Sequence, residues 1–179
     1  MSGAPACRIC LVTPPAFEPA AFASLLARVL DAGDVASLRL RLPGADAGAI
    51  ARAAEALLQV THRADIALIL DGDAGSVGAY CGGSYDDAMA AAEAGADYVA
   101  FGPARGAHAV ARETVADWAS AMVVPCMVSG GIDRDAAGAW ASAGAEFLEF
   151  GRAAWDAPEG PGQALRGLLE AMARAPRPA

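Results

Sequence analysis

Lysine is missing from this chain altogether, so its 13 basic residues are all arginine. With the heavy alanine content, that absence points to genome composition as much as to function. Charge of either sign is scarce at 19% of residues, and acids outnumber bases to leave a net charge of −8. Phosphate backbones need a basic face, so this balance excludes nucleic acid as a partner. No apolar run reaches the length of a membrane span, and the N-terminus lacks the basic start of a signal peptide. A cytoplasmic protein without membrane contact is expected. Cysteine is limited to Cys7, Cys10, Cys81 and Cys126, all in or beside apolar, strand-like stretches. Cys7 and Cys10 have CxxC spacing, but no second CxxC or histidine pair accompanies them. Residues three apart on a strand point to opposite faces, which favours buried structural thiols over a metal or redox centre.

What is present is apolar. Hydrophobic residues make up 55% of 179 positions, enough for one domain, residues 1–179, with a sizeable core. The stretch that organises the rest is Met127 to Ile132, MVSGGI, which follows the apolar run Ala121 to Cys126. A buried strand ending in Ser-Gly-Gly exposes backbone N–H groups where only glycine lets a ligand approach closely. A helix starts just beyond it, and helix N-termini favour anions. A similar ending, Phe147 to Arg152, FLEFGR, follows about one βα unit later. Two consecutive strand ends carrying glycine suggest the paired phosphate site built after the last two strands of a TIM barrel.

Along the chain, strand and helix patterns alternate. Strands are expected at 7–12, 37–42, 66–70, 77–81, 97–101, 123–128 and 147–150. Helices are expected at 17–30, 46–60, 85–94, 113–121, 135–143 and 162–173, with Asp46 and Ser84 as N-caps. Such alternation implies a parallel sheet covered by helices. The expected fold class is α/β, a TIM-type (β/α) barrel missing about one βα unit between Asp73 and Val77. A closed barrel needs eight strands, and Ala74 to Ser76 cannot supply the crossover of a dozen or more residues that parallel neighbours require. The open edge this leaves is expected to favour a homodimer or a lowered stability.

Several segments carry a family resemblance. Ala91 to Pro103, AAEAGADYVAFGP, resembles the sixth-strand region of thiamine phosphate synthases. Val124 to Ile132, VPCMVSGGI, resembles that family's seventh strand, and Ala143 to Trp155, AGAEFLEFGRAAW, its eighth. Leu38 to Pro43, LRLRLP, is similar to the family's second-strand motif, and CLVTPP to its first strand. The resemblance implies a (β/α)₈ transferase of thiamine biosynthesis. It would join a hydroxymethylpyrimidine diphosphate to a thiazole phosphate and release pyrophosphate with Mg²⁺. Related thiazole tautomerases share the fold but not the chemistry. The departures are a missing His-Leu-Gly-Gln fourth-strand motif, a loop Ala104 to His108 without lysine, and Arg39 where the family has Gln. They favour an alternative: a degenerate relative that binds a phosphorylated ligand without synthase activity.

Within this frame Gly130, Gly131 and Gly151 are candidates for holding the thiazole phosphate, or are plain turns. Ser129 could add a hydroxyl, and Arg152 a charge or only a helix start. Arg39 and Arg41 are expected to line the barrel, facing either a structural Asp or a substrate diphosphate. Arg41 and Asp73 are the catalytic candidates. Asp71 and Asp73, at a strand's C-terminal end, could hold Mg²⁺ or form an Asx turn. His108 and His62 read as exposed. The partners expected are small phosphorylated substrates.

Overall fold

The computed structural model describes residues 7–70, 77–104, 106 and 108–176. Seven parallel strands form one sheet: β1 (Arg8–Val12), β2 (Ser37–Leu40), β3 (Ala67–Leu70), β4 (Gly78–Gly82), β5 (Tyr98–Phe101), β6 (Cys126–Val128) and β7 (Phe147–Phe150). Their spatial order is β3-β2-β1-β7-β6-β5-β4. The two ends of that order, β3 and β4, are consecutive in sequence, and the barrel is therefore open where a unit was expected to be missing. At the β4 edge Val77 and Tyr80 are 57% and 65% exposed.

The sheet curls. In a flat sheet, β2 and β5 would lie four strand spacings apart, roughly 19 Å at about 4.8 Å each. Yet the Tyr98 hydroxyl on β5 meets the Arg39 guanidinium on β2. Tyr98 crosses to it over Gly78 on β4, where any side chain would collide with the ring.

Strand alternation sorts the side chains into two cores. Outward residues Ile9, Leu11, Leu38, Val99, Phe101, Val128 and Leu148 are buried against the helices. Inward, a small cluster of Cys10, Ala100 and Met127 packs with Tyr98 and Phe147. The outer core dominates the energetics, each large side chain contributing about 1.5–3 kcal/mol by burial. Cys7 packs against the outer core and Cys10 belongs to the inner one, as the spacing argument requires.

The helices are α1 (Pro19–Leu30), α2 (Ala47–Arg63), α3 (Tyr85–Glu93), α4 (Arg112–Ala121), α5 (Arg134–Ser142), α6 (Arg152–Trp155) and α7 (Pro161–Ala173). Asp46 caps α2 by accepting from Ala49 N at 2.7 Å, and Ser84 caps α3 by accepting from Asp87 N. Helix α1 starts two residues later than expected, because Pro19 takes its first turn and Glu18 caps it through the N–H groups of Ala20 and Ala21. Strand β6 is shorter than expected. Its apolar approach, Val123, is 97% exposed and precedes Pro125, which has no N–H for a ladder. Strand β2 stops at Leu40, so Arg41 is an exposed residue beyond the strand and not a buried one along it. No helix among the described residues is long and apolar enough to cross a membrane.

Candidate functional site at the C-terminal ends of the strands

The loops after β5 and β6 are bonded together. Ser129 N donates to Phe101 O at 2.8 Å, and Ala104 N donates to the carbonyls of Ser129 and Gly130 at 2.9 and 2.7 Å. Gly102, joined to Pro103 by a cis bond, lies so close to Ser129 that a Cβ would be 2.6 Å from its carbonyl oxygen. The Ser129 hydroxyl is buried and donates to Phe101 O. Held by this brace, Gly130 and Gly131 are exposed at the mouth with φ of 75° and 86°. Both lie in the left-handed region that favours glycine. At Gly130 a Cβ would also press on Pro103 at 3.2 Å.

The helix that follows does not offer a bare N-terminus. The Asp133 carboxylate accepts from Ala136 N at 2.9 Å and caps α5. An anion near Gly130 and Gly131 would therefore meet glycine backbone, not the start of α5. Helix α6 differs. Its N-cap, Gly151, makes no side-chain cap bond, and Arg152 is its exposed first residue. Arg152 thus takes the helix-start place that was one of its two readings, although a separate one-turn helix was not among the expected elements. It is held over the end of β1, where Trp155 Nε1 donates to Val12 O at 2.6 Å and the Trp155 ring packs edge-on to Phe22 at 4.9 Å.

Thr13 sets the place of Arg41. Its N–H donates to Arg39 O, and its hydroxyl both accepts from Arg41 N at 3.0 Å and donates to Arg41 O at 3.3 Å. Sequence reasoning gave Thr13 no role beyond closing a strand, although a hydroxyl before Pro14-Pro15 at a strand end was the signal available. Arg39 sits deeper, inside the sheet, 3.6 Å from Glu149 Oε2 and bonded to Tyr98. A structural Asp was one of the two partners expected for a buried arginine; the described residues supply a protein carboxylate at Arg39, but it is Glu149 and not an Asp. Neither Glu149 nor Tyr98 stood out by spacing, because the contact joins β2 to β7 and β5.

Asp71 and Asp73 lie outside the described residues. Among the described residues no group of three or more His, Cys, Asp or Glu could hold a metal ion. His108 is exposed in the loop after β5, and His62 lies in the last turn of α2. The cysteines are inert by environment: burial first, and the Glu146 carboxylate second, push the Cys7 thiol up to about 12. The same two causes raise Cys126, and burial raises Cys10 and Cys81.

An open, curled (β/α) sheet with paired glycine loops after its last strands is the signature of the TIM-barrel class, short of one unit. Comparison with known proteins narrows the class. The family model described as thiamine monophosphate synthase matches residues 72–153. Thiamine-phosphate synthase from Rhodospirillum centenum is 38% identical over 202 aligned positions, covering 93% of this chain and 98% of the relative. That alignment is longer than this whole chain of 179 residues, so the relative carries residues absent here. Thiamine phosphate pyrophosphorylase from Pyrococcus furiosus shares the fold at a TM-score of 0.77 and 17% identity, covering 93% of this chain and 95% of that one. (S)-3-O-geranylgeranylglyceryl phosphate synthase from Thermoplasma acidophilum, solved with sn-glycerol-1-phosphate, shares it at 0.76 and 19% identity, covering 96% and 94%. The chain belongs to the thiamine-phosphate synthase family.

Proposed function

We propose that this chain is itself a thiamine phosphate synthase, joining hydroxymethylpyrimidine diphosphate to thiazole phosphate. The observation that carries the reading is the mouth: glycine loops braced across β5 and β6 beside the uncapped start of α6, within a chain that covers 98% of a synthase relative. Gly130, Gly131 and Gly151 would hold the thiazole phosphate through backbone N–H groups, with Arg152 adding charge at the rim. Ser129 would act by fixing that loop, since its hydroxyl is directed to Phe101 O.

At the opposite rim Arg41, and Arg39 below it, would face the diphosphate. When the bond from methylene carbon to diphosphate breaks, negative charge grows on the departing pyrophosphate while the pyrimidine becomes cation-like. A guanidinium at that point stabilises the leaving group, and this is the main catalytic demand. The carboxylates the sequence offers to magnesium are Asp71 and Asp73, and magnesium when bound would add charge stabilisation to the same leaving group. The described residues form no metal site without them, and no step above is routed through the ion.

The open edge supports a second element of the reading, a homodimer that covers β3 and β4. Light scattering on the purified chain should give twice the monomer mass, and a monomer at all accessible concentrations overturns that element.

The test of the function is direct. Both substrates are supplied with and without a chelator, and thiamine phosphate is measured alongside calorimetric binding of each substrate. Activity that Gly131→Val abolishes, with thiazole phosphate affinity falling at least tenfold in a folded variant, supports the synthase. The open edge favours one other reading, a relative that binds a phosphorylated ligand only. Binding without turnover in the same experiment would select it.

A further inference from the structure

A closed barrel fills its lumen with layers of inward side chains from every strand. This chain has one wall fewer, and its inner cluster is correspondingly small. The space left is a cavity of about 340 Å³. It lies at the face opposite the glycine loops, because Arg8, Ser37, Tyr98 and Phe147, which line it, are the first residues of β1, β2, β5 and β7. Its volume falls within the range of roughly 300–1,000 Å³ typical of small-molecule sites.

The lining defines a chemistry. The apolar lining includes Ile69, Met127 and Phe147, of which Met127 packs with Phe147 and Tyr98. Its charged lining residues are Arg8, Arg39 and Asp97, two cations to one anion in a chain of net charge −8. Arg39 is engaged by Glu149 and Tyr98. Asp97 accepts from Val77 N at 2.7 Å. Among the described residues, Arg8 has the exposed carboxylate of Asp34 as its ion partner at 3.2 Å and also donates to Val35 O at 3.5 Å. A surface pair of that kind contributes about 0–1 kcal/mol, so a ligand carboxylate can displace it.

We propose that this cavity is a binding site for a small aromatic carboxylate, with its ring on the apolar lining of Ile69, Met127 and Phe147 and its carboxylate on Arg8. The carboxylate's place on Arg8 lies at the face opposite the glycine loops; Arg39 lines the cavity but takes no part in this proposal, which does not depend on the synthase reading.

The experiment uses the full chain and 2-naphthoate as probe, with 2-naphthalenemethanol as the uncharged control and acetate as the ringless one. Calorimetry and thermal melts should show saturable naphthoate binding with a raised Tm, at least tenfold weaker binding of the alcohol, and none of acetate. Arg8→Gln should lose at least tenfold in naphthoate affinity, and Ile69→Trp should fill the cavity and abolish binding. Gly131→Val should retain it, which separates this site from failure or success at the mouth. No naphthoate binding at millimolar concentration would overturn the proposal. So would equal affinity for the alcohol, an Arg8→Gln variant that binds normally, or displacement of naphthoate by thiazole phosphate.

Discussion

Single residues decide the chemistry, and their neighbours decide what each can do. Arg39 and Arg41 are two positions apart on one stretch, yet one lies against Glu149 inside the sheet while the other is held at the rim by Thr13. The spacing of LRLRLP makes the shared face legible, but not where the strand stops, since that depends on the turn Thr13 holds. The cysteines lead to a pH prediction. Folding raises the Cys7 thiol from 9.0 to about 12, chiefly by burial. The folded chain therefore holds that proton more tightly than the unfolded one. Its contribution is full below pH 9 and is lost as pH rises toward 12. In alkaline denaturation series, wild type should lose stability across this window more steeply than Cys7→Ala, by up to one proton. Parallel curves would refute the assignment. At neutral pH all four thiols of the folded chain should react slowly with alkylating agents.

At the scale of elements, helix α6 is where local pattern fails and tertiary contact takes over. Four residues make barely one turn, too few for a helical period to show, and no side chain caps it. Its anchor is the Trp155 bond to Val12, at the other end of the chain. Trp155→Phe leaves that carbonyl without its indole donor, at a cost of about 1 kcal/mol, or roughly 2–4 °C in Tm for a chain of this size. If α6 helps to hold the thiazole phosphate, KM for that substrate should rise more than kcat falls. A change in Tm alone would leave α6 a purely structural element. The strands, by contrast, were legible from sequence, because parallel strands buried on both faces read as continuous apolar runs between glycine and proline breaks. The expected bounds at Ile66–Leu70 and Phe147–Phe150 fall within one residue of β3 and β7. Val123 misled because it prolongs an apolar run without packing.

For the whole molecule, the count of strands and the place of the opening followed from arithmetic on chain length and crossover geometry. The braced mouth followed in outline from its glycines. The Tyr98–Arg39 tie and the cavity beneath it did not, because they arise when distant strands curl together. The strand order β3-β2-β1-β7-β6-β5-β4 also bears on folding kinetics. Apart from β1 with β7, every hydrogen-bonded pair joins strands that are consecutive in sequence. That one pairing spans nearly the full chain, and closing so long a loop slows folding. A circular permutant with its old ends joined by a flexible linker and new ends within residues 71–76 would run β4 to β7 and then β1 to β3. Each strand would then pair with its predecessor. In stopped-flow refolding it should fold faster than the natural order at similar final stability, the opening in the barrel having become the natural place to begin and end the chain.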